Sequence, residues 1–242
     1  MSTEILVENT PVYVGRPGLE SRGGIIVIHE VWGLVDHIKQ VADRFAKEGY
    51  LVYAPDLLKD MGIEKKVTPE LQKDLFDPEK RNAAQPKLRE LMAPIQSPEF
   101  GYKTTESLKK VFSALLNETD SKGKVAVVGY CFGGTYSYNL AVDEPRLAAA
   151  VPYYGHCDHS VDELRQITCP ILAFYGEKDE TLMASLPELK NRMHEAEVDF
   201  TAEVYGGTGH AFFNDTNPFS YKREAAADSW EKTLAFLSQH VG

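Results

Sequence analysis

The residues best suited to chemistry surround one cysteine, in the run Gly129-Tyr130-Cys131-Phe132-Gly133-Gly134. An apolar segment precedes this run, and we predict a helix over residues 135–142 after it. Glycines two residues before and after a central residue are typical of a nucleophile elbow, a strand-to-helix turn too tight for larger side chains at those positions. Such a turn presents the sulfur at a helix N-terminus, where the helix dipole favours a thiolate. Alone, the run also fits a buried structural thiol.

An acid and a histidine follow two later apolar segments. Asp179 ends the run Gly176-Glu177-Lys178-Asp179, and His210 ends the run Gly206-Gly207-Thr208-Gly209-His210. Taken separately, Asp179 fits a loop cap and His210 fits a surface histidine. Together with Cys131 they follow the chain order nucleophile, acid, histidine, which is the order of α/β-hydrolases. We therefore interpret Cys131 as the nucleophile, His210 as the general base and acid, and Asp179 as the group that fixes the histidine tautomer.

A nucleophile of this kind also needs two N–H donors that stabilise a developing oxyanion. One donor is expected from the backbone of Phe132, directly after the nucleophile. The other is expected from the loop Ile28-His29-Glu30-Val31-Trp32-Gly33, which follows the early apolar segment, and Val31 is the candidate. Glu30 follows the same apolar segment towards the expected site. We interpret it as a site residue, and the alternative is a surface acid.

The apolar pattern predicts the sheet that would position these residues. Short apolar segments occur at residues 24–28, 50–55, 124–129, 147–154, 170–175 and 200–205, and amphipathic helical spacing lies between several of them. Continuously apolar strands are typical of a mostly parallel sheet with helices on both faces. We predict a single α/β-hydrolase domain over residues 1–242. Residues 57–103 break the alternation and fit either a cap over the site or a solvated insertion.

Composition limits the partners and the compartment. The formal net charge of −10 disfavours nucleic acid. No segment has the pattern of a signal peptide or of a membrane span, so we expect no membrane association. Three cysteines without a C-x-x-C pair favour neither a disulfide framework nor a zinc knuckle. We expect a cytoplasmic protein, monomeric or homodimeric, that acts on a small-molecule ester or lactone.

The run His156-Cys157-Asp158-His159 resembles a metal cluster at first sight. Its four candidate ligands are consecutive, and no second pair at a suitable spacing completes a site. We expect a polar loop here and no metal, and we expect Cys169 to be a core residue.

Five segments, in the same order along nearly the whole chain, resemble the dienelactone hydrolase family, also called carboxymethylenebutenolidases. The resemblance implies an α/β-hydrolase fold, no metal or organic cofactor, and a Cys-His-Asp triad at Cys131, His210 and Asp179. The segments are His29-Glu30-Val31-Trp32-Gly33-Leu34, Ala54-Pro55-Asp56-Leu57, Gly129-Tyr130-Cys131-Phe132-Gly133-Gly134, Gly176-Glu177-Lys178-Asp179 and Gly209-His210-Ala211-Phe212.

The resemblance also implies a role for Glu30, since the corresponding acid of the family contacts the thiol and helps to deprotonate it once substrate is bound. Family members that act on dienelactone hold the substrate carboxylate with arginines. One of these arginines follows the catalytic histidine shortly, where this chain has Asn214, and Arg81 lies in the region that supplies another. We therefore expect Arg81, Trp32 and Asn214 to contact substrate, and we expect a preference for neutral esters and lactones.

Two other functions compete with a cysteine hydrolase. A class I glutamine amidotransferase also has a cysteine in a glycine-flanked turn, but it needs a His-x-Glu pair, which His210-Ala211-Phe212 lacks. A non-catalytic receptor with a hydrolase fold would keep the pocket without turnover. A complete triad favours the enzyme.

Overall fold

One large sheet forms the centre of the protein. The computed structural model describes residues 2–18, 20–62, 66–77 and 79–242, with the backbone only at Pro69, Arg81 and Asn82. The described residues form eight strands: β1 Thr3–Val7, β2 Thr10–Gly15, β3 Gly23–Ile28, β4 Tyr50–Pro55, β5 Val125–Tyr130, β6 Ala149–Tyr153, β7 Ile171–Gly176 and β8 Phe200–Tyr205. Their order across the sheet is β1-β2-β4-β3-β5-β6-β7-β8.

The strands from β3 to β8 pair in parallel, whereas β1 and β2 form an antiparallel hairpin that joins the sheet beside β4. Every residue of β3, β4, β5, β6 and β7 is buried. Strands buried on both faces need apolar residues at successive positions, which is why the sequence shows runs instead of alternation. The predicted mostly parallel sheet is confirmed.

Helices cover this sheet. They are α1 Asp36–Lys47, α2 Pro69–Phe76, α3 Arg81–Met92, α4 Pro98–Leu116, α5 Phe132–Asp143, α6 Val161–Leu164, α7 Glu180–Glu195 and α8 Arg223–His240. The apolar stripe of α1 is buried, and its Phe45 packs on Trp230 of α8 with the ring centroids 4.4 Å apart. Among the described helices, none has both the length and the apolar character needed to cross a membrane.

The segment 57–103 is largely helical, since it contains α2, α3 and the beginning of α4. Side-chain caps fix two of these helix starts: Thr68 accepts a hydrogen bond from the Leu71 N–H, and Ser97 accepts one from the Phe100 N–H. The interpretation of this segment as a separate insertion stays a prediction.

Two local features differ from the sequence-based expectation. The hairpin of β1 and β2 was not expected, and Glu8 in its turn has a φ of 50°. The helix expected over residues 135–142 begins earlier, at Phe132, because the turn at Cys131 leads directly from β5 into α5. The early start puts the first backbone N–H groups of α5 next to the thiol.

Candidate active site

Cys131 forms the turn between β5 and α5. Its backbone has φ 56° and ψ −110°, a conformation that residues with side chains rarely adopt and that is found where function requires it. Gly129 and Gly133 permit the turn. A Cβ atom on Gly129 would collide with the Gly133 carbonyl group, and one on Gly133 would collide with the carbonyl group of Ile28. The resulting thiol is half-buried.

Asp179 and His210 meet beyond the ends of β7 and β8. The Nδ1 atom of His210 lies 2.6 Å from Oδ2 of Asp179. The other carboxyl oxygen of Asp179 accepts a hydrogen bond from the Leu182 N–H at the start of α7. Cys131 and His210 line the same cavity, and interaction with Cys131 is one of the causes that raise the pKa of His210. Since Nδ1 is bonded to Asp179, the second ring nitrogen is left for the thiol.

Charge stabilises the protonated form of His210. Burial favours the neutral ring, but the negative charge of Cys131 and the hydrogen bond and charge of Asp179 outweigh it, and they raise the pKa of His210 to about 10. Burial also opposes ionisation of Asp179, and the hydrogen bond and charge of His210 again prevail, so the pKa of Asp179 is lowered. His210 can therefore carry a positive charge beside the Asp179 carboxylate.

Glu30 is buried in the same cavity, with only 2% of its surface exposed. Its Oε2 atom accepts a hydrogen bond of 2.6 Å from Nδ2 of Asn214. Burial raises the pKa of Glu30 to about 7, although the charge of His210 and the Asn214 hydrogen bond act in the opposite direction. An acid with this pKa can exchange a proton at neutral pH. The alternative of a surface acid is excluded by its burial.

The two backbones expected to bind an oxyanion lie at one edge of the sheet. Val31 belongs to the loop after β3, and Phe132 is the first residue of α5, which follows β5. Because β3 and β5 are neighbours and parallel, their carboxyl ends bring these two residues together. Val31 and Cys131 line a common cavity.

This cavity has a volume of about 710 Å³. Beside the residues above, part of its wall is apolar and aromatic, and Trp32 packs edge-on against Phe76 of α2 at 5.7 Å. A cavity of this size and character accommodates a small organic molecule. Its other lining residues include Leu75, Gln85, Leu88, Lys178, Asn217, Phe219, Ser220 and Lys222.

None of residues 156–159 lines the cavity. The Nε2 atom of His159 lies 2.9 Å from Oδ1 of Asn139, and His156 is exposed. Cys157 and Cys169 are buried, and burial raises the pKa of each thiol to about 12. Across the described ranges, no cluster of histidine, cysteine and carboxylate side chains has a geometry able to hold a metal ion.

Comparison with known proteins gives the family. The model of the dienelactone hydrolase family matches residues 10–241, which is nearly the whole chain. The chain belongs to the dienelactone hydrolase family. It is thus a hydrolase of the ester and lactone class with an α/β-hydrolase fold, as the sequence predicts.

Individual relatives agree with the assignment to the dienelactone hydrolase family. The chain is 33% identical over 230 residues to a Saccharolobus solfataricus protein named "Putative carboxymethylenebutenolidase", with 88% of each chain covered. It is 30% identical over 229 residues to "Protein usf" of Aquifex pyrophilus, covering 90% of this chain and 88% of the other. It also resembles the crystal structure of a "Putative Dienelactone Hydrolase" from Klebsiella pneumoniae, with a TM-score of 0.82, 25% identity, and coverage of 99% and 98%.

In this member of the family, the three expected substrate contacts have different surroundings. Trp32 lines the cavity. Asn214 also lines it, but its amide is bonded to Glu30 and to Thr216. Arg81 begins α3, and its side chain lies outside the described part of the structure.

Sequence reasoning missed several residues of the cavity wall. Leu75, Phe76 and Leu88 come from α2 and α3, and Phe219 and Lys222 come from the stretch before α8. The pair Leu75-Phe76 interrupts an otherwise charged segment, which signals a packed face on α2 but not where that face lies. For Lys222 no signal existed, since a lysine ahead of a helix is ordinary.

Proposed function

We propose that this protein hydrolyses small carboxylic esters or lactones through a thioester acyl-enzyme on Cys131. The observation that carries the proposal is the arrangement of Cys131, His210 and Asp179 around one cavity, with a 2.6 Å contact between His210 and Asp179. This is the nucleophile, base and orienting acid of a catalytic triad with sulfur in place of oxygen.

Acylation begins when Sγ of Cys131 attacks the substrate carbonyl carbon. His210 holds the thiol proton, and the carbonyl oxygen becomes an oxyanion that accepts hydrogen bonds from the Val31 and Phe132 backbone N–H groups. Collapse of the tetrahedral intermediate breaks the carbon–oxygen bond to the leaving group. The alkoxide takes the proton from His210, and the acyl group stays on sulfur as a thioester.

Deacylation repeats the sequence with water. His210 accepts a proton from the water molecule as its oxygen attacks the thioester carbon. The second tetrahedral intermediate uses the same two N–H donors, and its collapse expels the Cys131 sulfur and releases the carboxylic acid. For a lactone, acid and alcohol leave as one hydroxy acid.

Glu30 is proposed to help deprotonate the Cys131 thiol by passing the proton on to His210. A pKa of about 7 allows it to do so at neutral pH, and Glu30 lines the cavity together with Cys131. Asp179 accepts the Nδ1 proton of His210 and so orients the ring with Nε2 towards the sulfur. No metal or organic cofactor has a step in this reaction.

The reducing cytoplasm is the proposed location. The mechanism requires a free thiol at Cys131, and Cys157 and Cys169 are free as well. Oxidising compartments favour paired cysteines.

Hydrolysis of a panel of aryl esters and lactones by wild type, Cys131→Ala and His210→Ala tests the proposal. Each single variant should lose about 10⁴-fold or more of kcat, and the double variant should be no slower than either one, because a triad acts as a unit. Cys169→Ala, which removes a buried thiol of the core, is the matched control and should keep wild-type kcat.

Mass spectrometry of wild type quenched during turnover should detect the substrate's acyl mass on Cys131. Undiminished turnover by Cys131→Ala would contradict the proposal. Wild-type binding of ester without hydrolysis would favour a receptor instead.

A further inference from the structure

His29 is fully buried, and both of its ring nitrogens and its carbonyl oxygen have partners. Its Nδ1 atom lies 2.6 Å from the carbonyl oxygen of Glu30, and its Nε2 atom lies 3.1 Å from the Leu57 backbone nitrogen. Its own carbonyl oxygen accepts a hydrogen bond of 3.0 Å from the Gly133 N–H. A buried histidine with this set of contacts is held in one orientation.

These contacts fix the tautomer. The Leu57 N–H can only donate, so Nε2 accepts and carries no proton. Nδ1 therefore carries the proton and donates it to the Glu30 carbonyl oxygen. Burial lowers the pKa of His29 to about 4, which keeps the ring neutral at neutral pH.

The Glu30 carbonyl group belongs to the same peptide unit as the Val31 N–H. A trans peptide unit is planar, with its C=O and N–H pointing in opposite directions, so a group that fixes the oxygen also fixes the direction of the N–H. The Gly33 N–H donates to the same oxygen at 3.2 Å. Within the described chain the Val31 N–H has no hydrogen-bond acceptor, which leaves it available to a substrate oxygen.

His29 also contacts the element that supplies the second donor. Its ring is stacked on the ring of Phe132, with an interplanar angle of 3° and centroids 5.5 Å apart. The bond from Gly133 to the His29 carbonyl group ties the first turn of α5 to the end of β3. One side chain thus contacts both residues whose backbones would bind the oxyanion.

We propose that His29 is a positioning residue for the oxyanion hole, in which its Nδ1–H holds the Glu30–Val31 peptide in the orientation that aims the Val31 N–H at the substrate. This inference rests on the proposed function. A donor aimed at the oxyanion acts in the transition state and not in substrate binding, so its misalignment lowers kcat and leaves KM unchanged.

Two amide substitutions distinguish the roles of the two ring nitrogens of His29. The amide nitrogen of Asn reaches the position of Nδ1, so His29→Asn keeps the donor to Glu30 and loses the contact with Leu57. The amide of Gln reaches the position of Nε2, so His29→Gln keeps the Leu57 contact and loses the donor. The two variants are matched, since each retains a neutral amide that can donate and accept hydrogen bonds in a buried site.

We expect His29→Gln to lower kcat for an aryl ester by about 10- to 100-fold, a part of what loss of a whole oxyanion donor costs. We expect His29→Asn to keep kcat within about threefold of wild type, and both variants to keep KM within the same factor. Alkylation of Cys131 by iodoacetamide forms no oxyanion, so its rate should be unchanged in both. Thermal unfolding of each variant accompanies the kinetics.

Equal losses of kcat in the two variants would overturn the inference, as would a loss in His29→Gln accompanied by slower alkylation. Should His29→Gln fail to fold, His29→Asn still decides, because a loss of about tenfold or more in that variant contradicts the inference. Wild type without Cys131-dependent turnover would overturn the proposed function and this inference with it. Wild-type turnover that is indifferent to His29→Gln would overturn the inference alone.

Discussion

The side-chain amide of Asn214 donates a hydrogen bond of 2.6 Å to the buried carboxyl group of Glu30, across 184 residues of sequence. The Oδ1 atom of Asn214 accepts from the Thr216 backbone N–H at 3.0 Å and from the Thr216 hydroxyl at 2.6 Å. Two donors on the oxygen fix which end of the amide faces Glu30. Glu30 is thereby held by a neutral donor, and its charge is not paired by a cation at this position.

Replacing Asn214 with Asp keeps the side-chain shape, removes the donor and adds a second carboxyl group beside Glu30. Both changes raise the pKa of Glu30 above its present value of about 7. If catalysis uses ionised Glu30, the acid limb of the kcat/KM profile should move to higher pH, and activity at neutral pH should fall about tenfold. Steady-state rates between about pH 5 and about pH 9 measure the shift.

Asn117→Asp makes the same charge change at the exposed end of α4 and serves as the control. Its acid limb should coincide with that of wild type. If Asn214→Asp behaved like Asn117→Asp, the hydrogen bond between Asn214 and Glu30 would have no part in catalysis.

The buried acid should also make stability depend on pH. The pKa of Glu30 is raised from a usual 4.5 to about 7, so the folded protein binds this proton more tightly than the unfolded chain does. Binding of this proton stabilises the folded state fully below about pH 4.5, and this stabilisation is lost as the pH rises through about 7. At about pH 8 the folded state is therefore penalised by about 3 kcal/mol.

Glu30→Gln removes that penalty. We expect the variant to exceed wild type in free energy of unfolding by about 3 kcal/mol at about pH 8, and to match it at about pH 4. Urea unfolding at the two pH values measures the difference. A stability difference that does not change with pH would show that Glu30 titrates alike in the folded and unfolded chains.

The sequence predicts the parts of the fold whose local chemistry is distinctive. Buried parallel strands require apolar runs, and the turn at Cys131 requires glycines at positions 129 and 133, so both features can be recognised in the sequence. The hairpin of β1 and β2 was missed because β1 lies at the sheet edge and both strands are partly exposed. Edge strands tolerate polar residues and carry a weaker pattern.

The residues of the candidate site also differ in how far the sequence predicts them. A residue directly after a strand, such as Asp179 after β7, could be proposed from its order along the chain. The partner of Glu30 could not, because Asn214 lies far away in sequence and its role depends on a bond to Thr216. The cavity wall from Leu75 and Phe76 depends on how α2 packs, which no local pattern specifies.

Chelators should leave activity unchanged. The proposed chemistry uses the Cys131 thiol and two backbone N–H donors, and it needs no Lewis acid. In the run of residues 156–159, His159 contacts Asn139, and burial raises the pKa of the Cys157 thiol, which disfavours the thiolate that a metal would bind. Rates before and after EDTA dialysis should agree. Activity lost on dialysis and restored by zinc would contradict the mechanism.

The cavity offers a charged substrate few specific contacts. Asn214 carries no charge, and its amide is already bonded to Glu30 and Thr216, so it offers a substrate carboxylate no free donor. Apart from His210 of the triad, the cations that line the described cavity wall are Lys178 and Lys222, and both are exposed. Water screens exposed charges strongly, so we expect these lysines to contribute little to binding a carboxylate.

Wild type should therefore prefer the neutral member of a matched pair of lactones that differ only by a carboxylate. Asn214→Arg should shift the kcat/KM ratio towards the carboxylated member by about tenfold, the lower end of what a charged hydrogen bond contributes. The lower end applies because Glu30 lies within hydrogen-bonding distance of position 214 and would compete for the guanidinium. If wild type instead prefers the carboxylate, and Lys178→Gln with Lys222→Gln abolishes that preference, the two lysines form the anion site and Asn214 does not set the specificity.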